Sequence, residues 1–466
     1  MGDMHTNIRD VLEGNLNKII FTLSLPVMFS NLLQSFYSLA DTFWVAKLGS
    51  YAIAALTISF PIIFSFISLG SGVDTGSSVF SSHRVGKLYK ARKDYKEEVG
   101  HIFAQTLILL ILIYLLLMAV GFPTLPFILK LMHAEPKVFQ SALSYLRVIF
   151  AGSIFLFIFF AIDSAMRGLG NTRTPMKLVL ASVILNAVLD PLFIFGIGVP
   201  KMGVVGAAVA TLIARAVVNL FALFKMCRGD YGIPVKLKYF KPDFKVLRQI
   251  LKLSVPASFG MISLSLGMLI FTSIVSRFGT VVVASYGIVM RLFSIARIPC
   301  MGISAAVSII VAQNFGAKNI RRIFDSLHQS VKIGSVIMIL LIVPLFIFSK
   351  QVILIFTSDP QIVKLSSQFL KIISPFFIIM LIRTTLTGFF NGVKKTYLSM
   401  IINLANSFVF KIPLAYLLAF KLDLGVLGIW WSYPAMMVAT LLLSLIIYFL
   451  VKREILRAVE GSRTPV

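Results

Sequence analysis

The sequence predicts an all-α membrane protein, with twelve transmembrane helices in two parallel-repeat six-helix lobes around a central cavity. Long uncharged apolar runs, basic clusters that alternate between them, and an internal repeat together predict it. Residues 19–40, 48–73, 102–129, 253–276 and 424–451 contain no Asp, Glu, Lys or Arg. Each exceeds the ~20 residues that cross ~30 Å of hydrocarbon at ~1.5 Å per residue. Charged residues are 13 % of the 466, about half of the ~25 % usual in soluble chains. Mean hydropathy is +0.93.

In chain order, the apolar runs place spans at 17–46, 51–80, 101–124, 138–167, 174–197 and 203–225. The second set lies at 249–278, 281–312, 331–352, 361–390, 396–420 and 425–451. The first run is too long for a signal-peptide core and lacks a small-residue cleavage site, so it reads as a retained anchor. The start, Met1-Gly2-Asp3-Met4-His5-Thr6, formally fits a myristoylation pattern. A lipid anchor adds nothing to twelve spans, and the match is read as chance.

Basic residues gather at 84–96 and 225–252, with smaller groups at 318–332, 394–395 and 452–463. The alternate junctions carry mostly one each, at Lys47, Lys201, Arg277, Lys350 and Lys421. This is the positive-inside pattern, with both termini cytoplasmic in a plasma membrane. The net charge of +26 is therefore read as topology, with no nucleic-acid partner and with attraction to an anionic inner leaflet. Residues 226–248 contain Gly229, Gly232, Pro234 and Pro242, a composition suited to a linker. The expected division is an N-lobe at 1–225, a basic linker at 226–248, a C-lobe at 249–452 and a tail at 453–466. Cys227 and Cys300 stand apart and the histidines are scattered, so no disulfide, metal-thiolate centre or cofactor is expected.

Sliding the chain by 230 residues aligns 24–86 with 254–316 without a gap, matching Pro26/Pro256, Thr42/Thr272, Gly49/Gly279, Gly72/Gly302 and Gly86/Gly316. An offset of 222 matches Gly170/Gly392, Thr174/Thr396, Pro191/Pro413, Gly203/Gly425 and Gly206/Gly428. Apolar bias produces chance Leu and Val matches, but it does not keep Pro, Gly, Ser and Thr in register. Six spans per repeat give both halves the same orientation, and two such bundles can rock to expose a cavity to alternate sides. Repeats also occur in channels and membrane enzymes.

Charges inside spans are costly and usually face a cavity or a partner. In the first half they are Asp41, Asp74, Arg147, Asp163, Asp190 and Arg215. Asp190 lies ~24 Å into the fifth span, with Asn186 four residues earlier on the same face. Pro191 leaves the Ala187 carbonyl without its usual N–H donor. A carboxylate, an amide oxygen and a freed carbonyl suit a small cation, and the carboxylate alone suits a proton. The alternative is a structural pair with Arg215 or Arg147. Asp41 lies near the outer end of the first span, four residues after Tyr37. Asp74 is expected to be solvated near the basic loop, and Asp163 lies one turn before Arg167 at the inner boundary.

The second half is different. Asp41 aligns with Phe271 and Asp190 with Ile412, and the spans carry Arg291, Arg297, Arg383 and Lys411 instead of acids. These are read either as helix-packing residues bound to backbone carbonyls or as a basic wall for an acidic substrate or lipid headgroup.

Tyr37-Ser38-Leu39-Ala40-Asp41-Thr42-Phe43-Trp44, with Leu48-Gly49 and Ala54-Ala55, resembles the first-helix signature of the multidrug and toxic compound extrusion (MATE) family. Arg167-Gly168-Leu169-Gly170-Asn171-Thr172, Asn186 to Pro191, and Gly203 to Ala208 through Thr211 are similar to its fourth to sixth helices. The resemblance covers essentially the whole chain and looks closer to the DinF-like branch. It implies a V-shaped central cavity and export of small organic substrates by Na⁺ or H⁺ antiport, by a monomer and without cofactor. It also implies a cation site of Asp41, Asn186, Asp190 and Thr211 near Tyr37, with Asp163 as an additional acid where some relatives have an amide. No acid supports an ion site in the second half.

The leading expectation is therefore a secondary antiporter. A flippase for an anionic lipid or lipid-linked precursor is the alternative suggested by the basic half. A membrane-embedded transferase would need a His pair, an acid pair at ligand spacing or a glycine-rich phosphate loop, and the sequence offers none. A channel would need a filter motif, and none is obvious.

Overall fold

A computed structural model describes residues 8–132 and 135–460. The myristoylation-like start and the tail from residue 461 lie outside the described residues. A short helix, α1 (Ile8–Glu13), precedes six spans: α2 (Leu16–Ala46), α3 (Ser50–Lys90), α4 (Lys96–Leu131), α5 (Pro136–Gly168), α6 (Arg173–Phe195) and α7 (Val204–Arg228). The second series is α8 (Phe244–Ser276), α9 (Thr280–Gly316), α10 (Ile320–Ile347), the short α11 (Ser349–Leu354), α12 (Pro360–Gly392), α13 (Thr396–Lys421) and α14 (Gly425–Glu460). Among the described residues, twelve helices are long and apolar enough to cross a membrane and none forms a strand. The expected all-helical class and number of spans are thus observed.

Local chemistry sets the helix ends. Asn15 caps α2, its Oδ1 accepting hydrogen bonds from the Asn17 and Lys18 amides at 3.0 and 3.3 Å. Asp359 does the same for α12 through the Gln361 and Ile362 amides at 2.8 and 3.1 Å. The α2–α3 and α8–α9 turns use the repeat-related Gly49 and Gly279, with φ of 112° and 93°. A side chain there would be strained, so the register of this glycine pair has a backbone cause. Prolines lie inside several spans, including Pro26, Pro61, Pro191, Pro256 and Pro299. Membrane helices tolerate them because neighbouring groups satisfy the freed carbonyls.

The helices pack into two compact units. The first runs to Phe259 and takes in Ile309–Ile323 and Gly392–Lys394; the second comprises Gly260–Ser308, Phe324–Asn391 and the chain from Lys395 onward. In the first unit, α3 and the end of α9 touch backbone to backbone. A methyl group added at Gly86 would overlap the Gln313 carbonyl, and one at Gly316 would overlap the His83 carbonyl. Both His83/Gln313 and Gly86/Gly316 are related by the 230-residue offset, so the crossing is its own image under the repeat. Small residues permit this approach.

The end of α1 is held by the chain around the start of α10. Arg322 donates to the carbonyls of Val11 at 2.9 Å and Gly14 at 2.5 Å. Asn314 reaches Val11 and Asn319 reaches Leu12, each at 3.4 Å. The basic linker is also fixed. Gln105 of α4 donates to the carbonyls of Tyr239 and Lys241 at 2.7 and 2.8 Å and accepts from the Asp243 amide at 2.9 Å. Lys236 pairs with Glu97, and Gly100 lies against the Pro234 carbonyl.

Candidate functional site

Three helices of the first unit assemble a polar group inside apolar surroundings. Helix α6 packs against both α2 and α7. On α2, Tyr37 and Asp41 are four residues apart and so share a face. On α6, Asn186 and Asp190 have the same spacing, and α7 supplies Thr211 and Arg215. Asn186, Asp190 and Thr211 are 1 %, 0 % and 4 % exposed. Pro191 interrupts the hydrogen-bond ladder of α6 immediately after Asp190 without ending the helix, which continues to Phe195.

Asn186 Nδ2 donates to Asp190 Oδ1 at 3.0 Å and lies 3.5 Å from Thr211 Oγ1. The Asp41 and Asp190 carboxyls face each other at hydrogen-bonding range, and Tyr37 adjoins Thr211. Four oxygens of this group are buried without a hydrogen-bond partner: Tyr37 Oη, Asp41 Oδ1, Asn186 Oδ1 and Asp190 Oδ2. Arg215 lies over the Tyr37 ring at 5.8 Å and its charge acts on Asp41. Among the described residues neither Arg215 nor Arg147 forms an ion pair with Asp190; Arg147 lies over Phe122 at 6.0 Å. Two carboxylates against one guanidinium leave the group one positive charge short. A proton or a monovalent cation between the facing carboxyls corrects that deficit.

Asp163 does not join this group. Arg167, one turn on, binds it at 2.7 Å, and Asp163 faces Asp74 of α3 instead. Depth is the reason. Near the loop that joins α5 to α6, Asp163 is ~8 Å from its helix end while Asp190 is ~26 Å into its helix. Asp74, expected to be solvated, is 5 % exposed, and its Oδ1 lacks a partner. Sequence spacing gave no sign of the Asp74–Asp163 encounter, because the two acids are on different helices. The same holds for Tyr145 of α5, which is buried and feels the charges of Asp41, Asp190 and Arg215.

The second unit brings together three of the four basic candidates. Arg297 of α9 acts electrostatically on both Arg383 of α12 and Lys411 of α13. Arg383 Nη1 donates to Asn403 Oδ1 at 3.4 Å. The Lys411 ammonium sits 4.5 Å from the Phe271 ring centre and 4.8 Å from that of Tyr433. Arg291 is apart: it precedes Arg297 by six residues, about 240° around the helix. Asn403, Phe271 and Tyr433 were not marked by sequence, since nothing distinguishes a lone amide or aromatic residue in an apolar run.

The MatE family model matches residues 26–192 and 256–417. The chain is 30 % identical over 425 residues to the probable multidrug resistance protein YpnP of Bacillus subtilis, spanning 90 % of this chain and 92 % of that one. It is 29 % identical over 447 residues to the probable multidrug resistance protein YoeA of the same organism, spanning 94 % of each. The multidrug export protein MepA of Staphylococcus haemolyticus is 28 % identical over 77 % of this chain and 78 % of that one. Among solved structures, a MATE protein in a straight conformation superposes with a TM-score of 0.89 at 25 % identity, covering 98 % of this chain and 100 % of that chain. One in a bent conformation gives 0.87 at 26 % identity and 98 % of both.

Proposed function

We propose, for a chain that belongs to the MATE family and is a multidrug efflux transporter of the plasma membrane, that export is driven by antiport of a proton or sodium ion through the first unit. Asp41 and Asp190 hold the ion, Asn186 and Thr211 orient and supplement them, and Tyr37 closes the group. The observation that carries this reading is the set of four buried, unpartnered oxygens on Tyr37, Asp41, Asn186 and Asp190. A buried polar atom without a partner calls for an explanation such as an ion or water, and here four such oxygens from two helices belong to one group.

Ion and substrate drive transport if each binds one orientation of the protein more tightly than the other, since a ligand shifts an equilibrium only by its differential affinity. The facing carboxyls supply such a difference. Without the ion they repel, so the approach of α2 to α6 depends on loading. Both termini lie on the cytoplasmic side in this reading, the basic ends of the helices facing the anionic leaflet, and a single chain suffices. Asp163 stays outside the ion site, its charge met by Arg167.

The test is export from proteoliposomes under an imposed H⁺ or Na⁺ gradient, each alone. Asp41→Asn and Asp190→Asn are expected to abolish gradient-driven export while the protein still elutes as a monodisperse species. Gradient-driven transport retained by either variant sinks the assignment. The gradient that drives wild-type flux by itself identifies the ion.

A further inference from the structure

Two positions that the repeat matches to ion-site residues are aromatic in the second unit and hold a cation, and we propose that the cations gathered there bind the oxyanion of an amphipathic substrate. Adding 230 to Asp41 gives Phe271; adding 222 to Asp190 and Thr211 gives Ile412 and Tyr433. Phe271 and Tyr433 pack edge to face at 5.1 Å, and the ammonium of Lys411, the residue before Ile412, lies against both rings. Where one unit gathers two carboxyls and a hydroxyl, the other sets an ammonium against two aromatic rings. Arg297 and Arg383 add two guanidinium groups within electrostatic reach.

These three cations lack the partners that embedded charges usually have. Among the described residues none forms an ion pair with a carboxylate. Among the described residues, Arg383 has the single long hydrogen bond to Asn403, and the guanidinium of Arg297 has none. A guanidinium offers five donors in a fork that suits phosphate or carboxylate. Their depth matters as well. Arg297 is ~26 Å into α9 and Lys411 is ~22 Å into α13, yet Arg297 is exposed and the other two are half-buried. Charges at that depth would be expensive against lipid, so they face polar space. Behind the cations, Phe271, Tyr286, Phe369 and Tyr433 form a buried ring cluster, 0–3 % exposed, that backs the Lys411 ammonium. An oxyanion carried on an apolar or aromatic body meets the three cations with its head and the half-buried Phe293, which packs against Tyr433, with its body.

This inference rests on the transporter reading, but its test requires no gradient. Binding of fluorescein, an aromatic organic anion, to detergent-purified full-length protein is followed by fluorescence polarisation, with ethidium as the cationic control. Arg297→Gln, Arg383→Gln and Lys411→Met are each expected to weaken fluorescein binding about tenfold. Arg297→Lys should recover most of the loss, and ethidium affinity should stay within about twofold in every variant. Competition separates two sources of the anion. Displacement by inorganic phosphate assigns the site to free oxyanions, whereas displacement by dihexanoyl phosphatidate alone assigns it to a lipid headgroup. Unchanged fluorescein affinity in the three variants, or parallel loss of fluorescein and ethidium binding, overturns the proposal. Asp190→Asn should bind fluorescein as the wild type does. Failure of ion coupling would therefore leave this binding result standing, and the reverse also holds.

Discussion

Helices α6 and α13 descend from the same repeat position, and their middles differ in charge and in backbone. Both carry a proline at the matched place, Pro191 and Pro413, but Asp190 precedes the first and Ile412 the second. Helix α6 stays regular from Arg173 to Phe195, whereas α13 widens into π-helical turns at Ala405–Lys411 and Leu417–Lys421. A π turn holds an extra residue and rotates the next stretch of helix by about 100° relative to an unbroken α-helix. Lys411, one residue before the position matched to Asp190, is the side chain that meets Phe271 and Tyr433. The repeat thus kept the proline in place while the charge beside it inverted and the helix geometry around it changed. The lesson is that a repeat keeps a helix proline in place more strictly than the charge beside it.

The largest expected effect tests that contrast directly. Asp190→Leu should remove gradient-driven export, while Ile412→Leu at the matched position should leave the export rate within about twofold, as conservative apolar swaps usually do. Equal loss in both would show that the two spans share one structural role. Next in size is the symmetric crossing. Gly86→Val and Gly316→Val each force side-chain atoms into a facing carbonyl, and each should cost about 3 kcal/mol by overpacking. Thermal unfolding in detergent should give matched shifts; a large shift at one glycine and none at the other would break the equivalence.

A smaller effect belongs to the part of the chain that has no repeat partner. Gln105→Ala removes an amide that holds three backbone groups of the linker, at a cost of about 2 kcal/mol. Proteolysis should then begin between residues 229 and 243; an unchanged cleavage rate would show that the linker is held elsewhere. The smallest effect is at the surface. Arg9 and Glu13 pair at 3.4 Å with side chains 72 % and 63 % exposed, so Arg9→Ala should change stability by less than about 0.5 kcal/mol. Comparing that value with Arg167→Ala, which strands Asp163 near Asp74, measures how much burial adds to an i,i+4 pair.

By itself, the sequence determined the helical class, the number of spans and the repeat. Each of these depends on information local to the chain: the length of an apolar run, a capping side chain such as Asn15, or a glycine that a turn requires at 49 and 279. Asn186 and Asp190 were legible for the same reason, since four residues along a helix fixes a shared face. What lay between helices was not legible in that way. The grouping of Asp41 with Asp190 was implied by the family resemblance, and Arg167 one turn from Asp163 by spacing, but only tertiary packing set Asp163 against Asp74 and Lys411 against Phe271 and Tyr433. Helix periodicity says which side chains share a face, but depth and the identity of the facing helix decide which charges meet. Those two quantities arise only when the spans pack.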